Sequence, residues 1–508
     1  MLRIPPTIKY FFFLLLLLLV AFWPLVLLQN TLKWDIVDLT LPWRYWLSEC
    51  LTNGTLPLWN PFTNMGFPLG GHYDTWYPIS WLFSLLFGYD LLAVQAEYLL
   101  HLFIGGLGFY LLAGYFKLAK PIRLMLAMSW MLSGFMVSHA QHLGYIVCAA
   151  WLPFIFYYYL AFSRKPSWPD GLKLGLSLSM LLSGGYPGVF VMTAYCLLAL
   201  FGFRMLKHIK EKNSVPDVGR WVVWHGLVAA VFASLGAVVL VAGFGMQEHI
   251  GRGEPLPFTT DVWGILSGSL SPKGLWTVLF PFGASADKVF WEGSLSIVNL
   301  YFGLVAFAFL VYANWTRQLL SRERVLTVAG ILFLMIAMAT VFPFRKWMYE
   351  LLPFMDLFRF SAVFRLFAIL CFLLAAGLGI QRFLHREEGH MRIAGGAVFA
   401  AAIAGTLFCT YKADWQGIAV FIDHGWLAWY KVAQPFERMA IHGYIQLLLM
   451  GGFWLATRQR SKQSCTRWLV ALTAIDLLIA VQLNLNATVI SPHGPQAAQQ
   501  AIAESPEG

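Results

Sequence analysis

Two carboxylates stand close together just after the first long apolar run of the chain. Asp35 and Asp38 are three residues apart in the segment 33–38. If this segment continues the helix of the apolar run, both side chains lie on one face, just above a membrane surface. A carboxylate there could take a proton from a hydroxyl group, and the pair could hold a divalent cation, Mg²⁺ or Mn²⁺, against a phosphate. The alternative is a pair of solvated charges that Lys33 and Arg44 balance.

Other ionisable side chains lie near the ends of later apolar runs. Arg359 stands at the top of one of them, and Arg365, six residues later, lies deeper. A guanidinium suits a phosphate because it offers a planar set of donors and stays charged. Arg365 could equally be bonded to Asp356 or to a backbone carbonyl. The further candidates for contact with a polar substrate, each with a structural or solvated role as the alternative, are His139, His142, Asp74, Glu248 and Glu292.

The composition is that of a polytopic membrane protein. Hydrophobic residues make up 59% of the 508 residues and charged residues 12%, and apolar runs near the length of a bilayer span recur along the chain. The six cysteines fall mostly inside these runs and show no disulfide or metal-site spacing. Lysines and arginines that fix the orientation of spans account for the net charge of +10, so no nucleic-acid partner is expected.

The hydrophobic pattern predicts an all-α bundle of about 13 transmembrane helices. We place them at residues 10–30, 92–116, 121–138, 145–162, 171–186, 188–206, 222–245, 296–313, 325–342, 361–381, 393–411, 438–457 and 468–486. The first is interpreted as a retained span, because no small-residue cleavage site follows it. His101 follows Glu97 by four residues within the second, so their side chains are expected to bond each other.

Charge distribution sets the orientation. Lys and Arg concentrate in the short connections on the side of the N-terminus, which puts that terminus in the cytoplasm and the long loops outside. The chain then divides into a first transmembrane helix (1–30), a first extracytoplasmic loop carrying the candidate acids (31–91), helices 2–7 (92–245), a second long extracytoplasmic loop (246–295), helices 8–13 (296–486) and an extracytoplasmic tail (487–508), which could be truncated. Amphipathic or re-entrant helices are expected at 41–51 and 76–87.

A series of short motifs runs from the first long loop to the tenth predicted span. Pro42 follows Asp35 by seven residues. The later motifs are Gly54-Thr55-Leu56-Pro57-Leu58-Trp59-Asn60-Pro61, Gly66-Phe67-Pro68, Trp76-Tyr77-Pro78, Ala140-Gln141-His142-Leu143, Ala150-Trp151-Leu152-Pro153, Asn299-Leu300-Tyr301-Phe302-Gly303 and Leu352-Pro353-Phe354-Met355-Asp356-Leu357-Phe358-Arg359-Phe360. In order and spacing these resemble the YfhO-type bacterial integral membrane proteins, which belong to the GT-C class of polyprenyl-phosphate-sugar-dependent glycosyltransferases.

The resemblance implies an inverting glycosyltransferase of the bacterial cytoplasmic membrane. It would move a sugar from a polyprenyl-phosphate carrier to an envelope polymer or a protein on the outer face. Asp35 stands in the position of the family's acid and would be the general base, with Asp38 beside it and Asp74 as a weaker candidate. Arg359 and Arg365 would stabilise the leaving phosphate.

Two other classes of function stay open. A transporter or flippase for a lipid-linked sugar should line a path near the middle of the bilayer with ionisable residues. Few acids stand in the predicted spans, Asp476 being the deepest, so this class is less favoured. The remaining alternative is a non-catalytic scaffold of an envelope-assembly complex.

Overall fold

The structure is a computed structural model that describes residues 6–63, 65–211, 215–246, 254–285, 287–315, 321–385 and 391–503. Within these ranges β pairing is limited to two isolated bridges, and the protein is all-helical. The first helices are α1 (Pro6–Ala21), α2 (Trp23–Val26), α3 (Leu41–Thr52), α4 (Pro78–Phe87), α5 (Leu91–Tyr115), α6 (Lys120–Met131), α7 (Gly134–Ser138), α8 (Leu143–Arg164), α9 (Trp168–Gly184), α10 (Pro187–Lys210), α11 (Val215–Leu235) and α12 (Ala237–Met246). The others are α13 (Lys288–Trp291), α14 (Leu295–Val298), α15 (Leu304–Asn314), α16 (Arg322–Ala337), α17 (Phe344–Leu351), α18 (Arg365–Leu384), α19 (Met391–Lys412), α20 (Gln416–Val432), α21 (Pro435–Thr457), α22 (Lys462–Thr488) and α23 (Pro495–Ala503).

The helices define a multi-pass membrane protein. Among the described residues nine helical segments are long and apolar enough to cross a bilayer, and three shorter apolar helices accompany them. Each of the thirteen predicted spans overlaps one or more helices, although residues 299–303 of the predicted span 296–313 lie between two of them. The predicted span 222–245 contains two helices, α11 and α12, which meet at Gly236.

α18 lies at the centre of the bundle and carries Arg365 at its first residue. It packs against α6, α15 and α16, and nearly all of its side chains are buried. Close approach depends on a small residue, because a Cβ on Gly379 would lie 2.7 Å from the carbonyl oxygen of Phe309. Small residues at helix contacts are the usual means of tight packing within membranes. The start of α18 is thereby held firmly in the interior.

The chain does not carry the first helix through to Asp35, so the expectation of a continuous helical extension is wrong. Helix ends at Val26, and Leu28 and Trp34 have positive φ angles of 56° and 63°. The residues between them pair with the segment after α22: Leu32 bridges Ile490, and Thr31 N donates to His493 O at 3.0 Å. The backbone groups of this segment are therefore satisfied by distant residues rather than by a local helix.

Asp35 instead begins one turn of π-helix, Ile36–Thr40, which leads into α3. A π-turn holds more residues than an α-turn, so residues three apart no longer share one face. Asp35 is half-buried, with 50% of its side chain exposed, whereas Asp38 is exposed. The two carboxylates therefore have different surroundings.

Within the membrane helices, the expected bond between the side chains of Glu97 and His101 is also wrong. His101 Nδ1 bonds the backbone oxygen of Glu97 at 2.7 Å, and its Nε2 bonds Tyr77 OH at 2.5 Å. The Glu97 carboxylate accepts from Ser80 Oγ and from Tyr89 OH. Since Ser80 and Tyr89 belong to α4 and the turn after it, this buried network attaches the first long loop to α5.

Candidate active site around Asp35

Two histidines stand between Asp35 and the centre of the bundle. His139 follows α7 and His142 precedes α8. The turn between them is tight, because His142 N donates to His139 O at 2.8 Å, and it sets the two rings 5.3 Å apart. His142 Nε2 lies 3.6 Å from Asp35 Oδ2, and His139 Nδ1 lies 3.2 Å from His142 Nδ1. His139 Nε2 is in turn 3.0 Å from Arg365 Nη2.

These four residues, Asp35, His142, His139 and Arg365, form what we call the Asp35 row. The hydrogen-bond partners determine which ring nitrogen of each histidine carries the proton, because a guanidinium can only donate. His139 Nε2 must accept from Arg365, so the proton of His139 is on Nδ1 and is donated to His142 Nδ1. His142 then carries its own proton on Nε2, the nitrogen that faces the Asp35 carboxylate. Each donor in the row thus points towards Asp35.

Burial keeps both histidines neutral. Burial and, to a smaller extent, the charge of Arg365 together lower the pKa of His142 to about 4. The pKa of His139 lies well below its usual value for the same two reasons, with His142 as a third. A protonated His142 would have a donor on both nitrogens and could not accept from His139. The electrostatics and the proton assignment therefore agree.

Arg365 is fully buried and all of its nitrogens are bonded. Nε donates to Asn299 O at 3.2 Å, Nη1 to Ala362 O at 2.9 Å and Nη2 to Ser296 O at 2.7 Å. Its guanidinium also lies 4.9 Å from the Phe135 ring centroid. Among the described residues no carboxylate forms an ion pair with it. Arg365 is therefore a buried cation that fixes the histidine next to it.

A pair of tyrosines leads from the row to Arg359. The ring of Tyr145 lies 5.1 Å from that of His142 and 4.9 Å from that of Tyr186. Tyr186 OH donates to Arg359 O at 2.9 Å. The Arg359 guanidinium is half-buried, bonds Val262 O and lies 5.2 Å from the ring of Trp263. The second predicted arginine thus belongs to the same region as the row.

Sequence reasoning missed Arg345, which bonds the backbone oxygen of the residue before Arg359. It is fully buried on α17, and its Nη2 donates to Met355 O and Phe358 O, both at 2.7 Å. Its Nε and Nη1 have no hydrogen-bond partner among the described residues. Burial lowers the pKa of Arg345 to about 10, so it stays charged at neutral pH. The sequence did hold a signal for Arg345. It falls in a predicted outer loop, where the positive-inside rule does not account for a lysine or arginine.

Asp74 and Glu292 are bonded to residues outside the row. Asp74 lies 3.5 Å from Arg44 Nη2 and bonds His72 Nδ1. Glu292 is exposed, pairs with Lys273 at 2.7 Å and accepts from Ser271. Glu248 lies outside the described residues. Asp38 is exposed.

The donor set around Asp35 does not assemble a metal site. Within the described ranges no group of three or more His, Cys, Asp or Glu residues could hold a metal ion. Asp35 and His142 provide two converging ligands at most, and Asp38 does not join them. The divalent cation therefore stays a prediction from the sequence, and the chemistry below is derived without it.

The arrangement of helices has a known counterpart. The chain shares its membrane fold with a solved protein. It is similar to the crystal structure of ArnT from Cupriavidus metallidurans bound to undecaprenyl phosphate, with a TM-score of 0.52 and 13% sequence identity over 98% of this chain and 79% of that one. No family model matches the chain, and no curated protein matches it.

Proposed function

We propose that this protein is a membrane glycosyltransferase that moves a sugar from a polyprenyl-phosphate carrier to an envelope polymer or a protein. The observation that carries the proposal is the Asp35 row, in which one half-buried carboxylate is approached by an oriented N–H at 3.6 Å. A general base needs both an accessible oxygen and a fixed orientation. The resemblance of the motifs to YfhO-type proteins and the likeness of the fold to ArnT, whose structure holds undecaprenyl phosphate, support a lipid-phosphate donor.

In the proposed reaction an acceptor hydroxyl gives its proton to Asp35. Its oxygen bonds to the anomeric carbon of the sugar on the face opposite the phosphate. The bond from that carbon to the phosphate oxygen breaks, and its electron pair leaves with the polyprenyl phosphate. The configuration of the sugar is inverted. His142 faces the carboxylate with its Nε2 proton at 3.6 Å and donates it when the contact shortens on substrate binding, while Arg365 acts on Asp35 only through His139 and His142.

The charge that develops on the leaving phosphate needs a cation at the membrane surface. The nitrogens of Arg365 are already bonded to neighbouring carbonyls and to His139. We therefore assign this role to Arg359, assisted by Arg345. Arg345 adds a full positive charge and two nitrogens that have no hydrogen-bond partner among the described residues, and its bonds to Met355 and Phe358 fix the backbone that leads to Arg359.

The membrane interior gives less support to the transporter alternative. Two acids buried in the described spans, Glu97 and Asp476, are both bonded inside the bundle. Glu97 accepts from Ser80 and Tyr89, and Asp476 accepts from Tyr301 OH and from Leu304 N at 2.8 Å. These contacts tie helices together and leave neither carboxylate open to a passing solute.

The test is to remove the protein from its cells and locate the lipid-linked sugar. Loss of a transferase leaves the glycosylated polyprenyl phosphate accumulated on the outer leaflet, while the modified acceptor disappears. Accumulation on the inner leaflet would show a flippase instead and would overturn the proposal. Transfer by the purified protein in a bilayer, from a synthetic polyprenyl-phosphate sugar, is the matching positive experiment.

A further inference from the structure

A large cavity lies at the end of the bundle opposite to Asp35. Its volume is about 1480 Å³, and α18, α19, α21 and the start of α22 line it. Residues 31–32, which come shortly before Asp35, pair with the segment that follows the last residue of α22. The first residue of α22, Lys462, lines the cavity. The 27 residues of this helix span about 40 Å. The cavity is therefore separate from the candidate active site.

The mouth of the cavity is positively charged. Arg392 stands at the start of α19, and Arg458, Arg460 and Lys462 lie on the turn that joins α21 to α22. Among the described residues that line the cavity there is no aspartate or glutamate. Four cations around one opening favour an anion, and helix ends are where the headgroups of a bilayer lie.

The deeper walls are apolar. Phe399 follows Arg392 by two turns of α19, and Met450 precedes Arg458 by two turns of α21, so the cavity reaches about 10–12 Å into the bundle. Glycines leave room along it, since a Cβ on Gly396 or Gly451 would meet no atom within 4 Å. The Arg458 guanidinium lies 3.4 Å from the centroid of the Trp454 ring, which joins the charged mouth to the aromatic wall.

We propose that this cavity binds an anionic phospholipid of the bilayer. The phosphate would lie among the four cations at the mouth, and an acyl chain would follow the wall of Phe399, Met450 and Phe453 past the glycines. A water-soluble anion would use the cations but gain nothing from the apolar depth, which is why a lipid is favoured. The site is independent of the sugar-transfer reaction.

Native mass spectrometry of the whole protein, released from mixed detergent, tests the proposal. We expect phosphatidylglycerol to bind at least tenfold more tightly than phosphatidylcholine, and inorganic phosphate to compete poorly. The double variant Arg458→Gln/Lys462→Gln should lose this preference. The matched control Arg164→Gln/Lys165→Gln removes two exposed charges at the end of α8 and should keep it.

A second pair of variants tests the depth of the cavity without changing charge. Gly451→Leu should block the acyl chain and weaken binding of phosphatidylglycerol by tenfold or more. Gly202→Leu is its control, because Gly202 is also helical with open space around its Cβ position but does not line the cavity. Equal binding of the two lipids, equal losses in variants and controls, or competition by phosphate as strong as by the lipid would each overturn the proposal.

Discussion

His142 Nε2 lies 3.6 Å from Asp35 Oδ2, and this contact joins the first connection of the chain to the start of α8. It is longer than a hydrogen bond, and catalytic contacts of this kind commonly shorten when the substrate is bound. The contact gives Asp35 an oriented neighbour that Asp38 lacks. The proposed base therefore differs from its neighbour by geometry rather than by residue type.

Removing the ring of His142 should slow transfer without weakening donor binding. We expect His142→Ala to lower kcat roughly tenfold or more, the value of one lost hydrogen bond to a charged group, with KM for the donor unchanged. His142→Gln keeps an N–H near the position of Nε2 and should retain most of the activity. Wild-type kcat in His142→Ala would show that the contact has no part in catalysis.

The partly buried His142 should make stability depend on pH. Its pKa is lowered from 6.5 to about 4, so between these values the unfolded chain binds a proton that the folded protein does not. Stability must then decrease as the pH falls through this window. Thermal unfolding in detergent at neutral and at mildly acidic pH measures this. His142→Gln should show a smaller difference between the two conditions, and an equal difference would contradict the assignment.

The ion pair of Arg44 and Asp74 should matter to folding rather than to chemistry. Burial alone would raise the pKa of Asp74, but His72 and Arg44 hold this pKa well below its usual value. Asp74→Asn leaves a buried guanidinium without its partner, which costs about 3 kcal/mol, the lower end of the range, because Asp74 is 22% exposed. The unfolding temperature should fall clearly, whereas the exposed Asp414 can be changed to Asn without effect. A stable Asp74→Asn protein that lacks activity would return Asp74 to the candidate site.

Arg345 should contribute to binding of the lipid donor. Arg345→Gln removes the charge of the guanidinium that bonds the backbone oxygen of Phe358, next to Arg359. We expect KM for the donor to rise about tenfold, with a smaller change in kcat. Lys346→Gln is the control, since Lys346 is exposed and pairs loosely with Glu350 at 3.8 Å. Thermal unfolding of both variants shows whether each is folded. Unchanged KM in a folded Arg345→Gln protein would remove the arginine from the proposal.

The membrane helices could be predicted because their signal is local. A run of apolar residues with charged ends defines a span whatever its neighbours are. The helix break before Asp35 was not predictable in the same way. It depends on Leu32 pairing with Ile490, far along the chain, and no pattern near residue 32 shows that partner. The apolar residues Val26, Leu27 and Leu28 alone would have continued the helix.

The candidate site was predicted in its residues but not in its connections. Asp35, His139, His142 and Arg365 were all named from the sequence, but as separate candidates for base, substrate contact and phosphate contact. Only the fold brings α7, α8 and α18 together and makes these residues one row. The commitment of Arg365 to carbonyls of Ala362, Ser296 and Asn299 follows from the tertiary structure alone.

The most direct test of the central claim is the rate of sugar transfer by Asp35→Asn. Asparagine keeps the size of the side chain but cannot take a proton, so we expect kcat to fall about 100-fold or more, with the unfolding temperature and membrane insertion unchanged. Asp38→Asn should have a much smaller effect. Full activity of the double variant Asp35→Asn/Asp38→Asn would contradict the account, because no carboxylate would then remain to serve as the base.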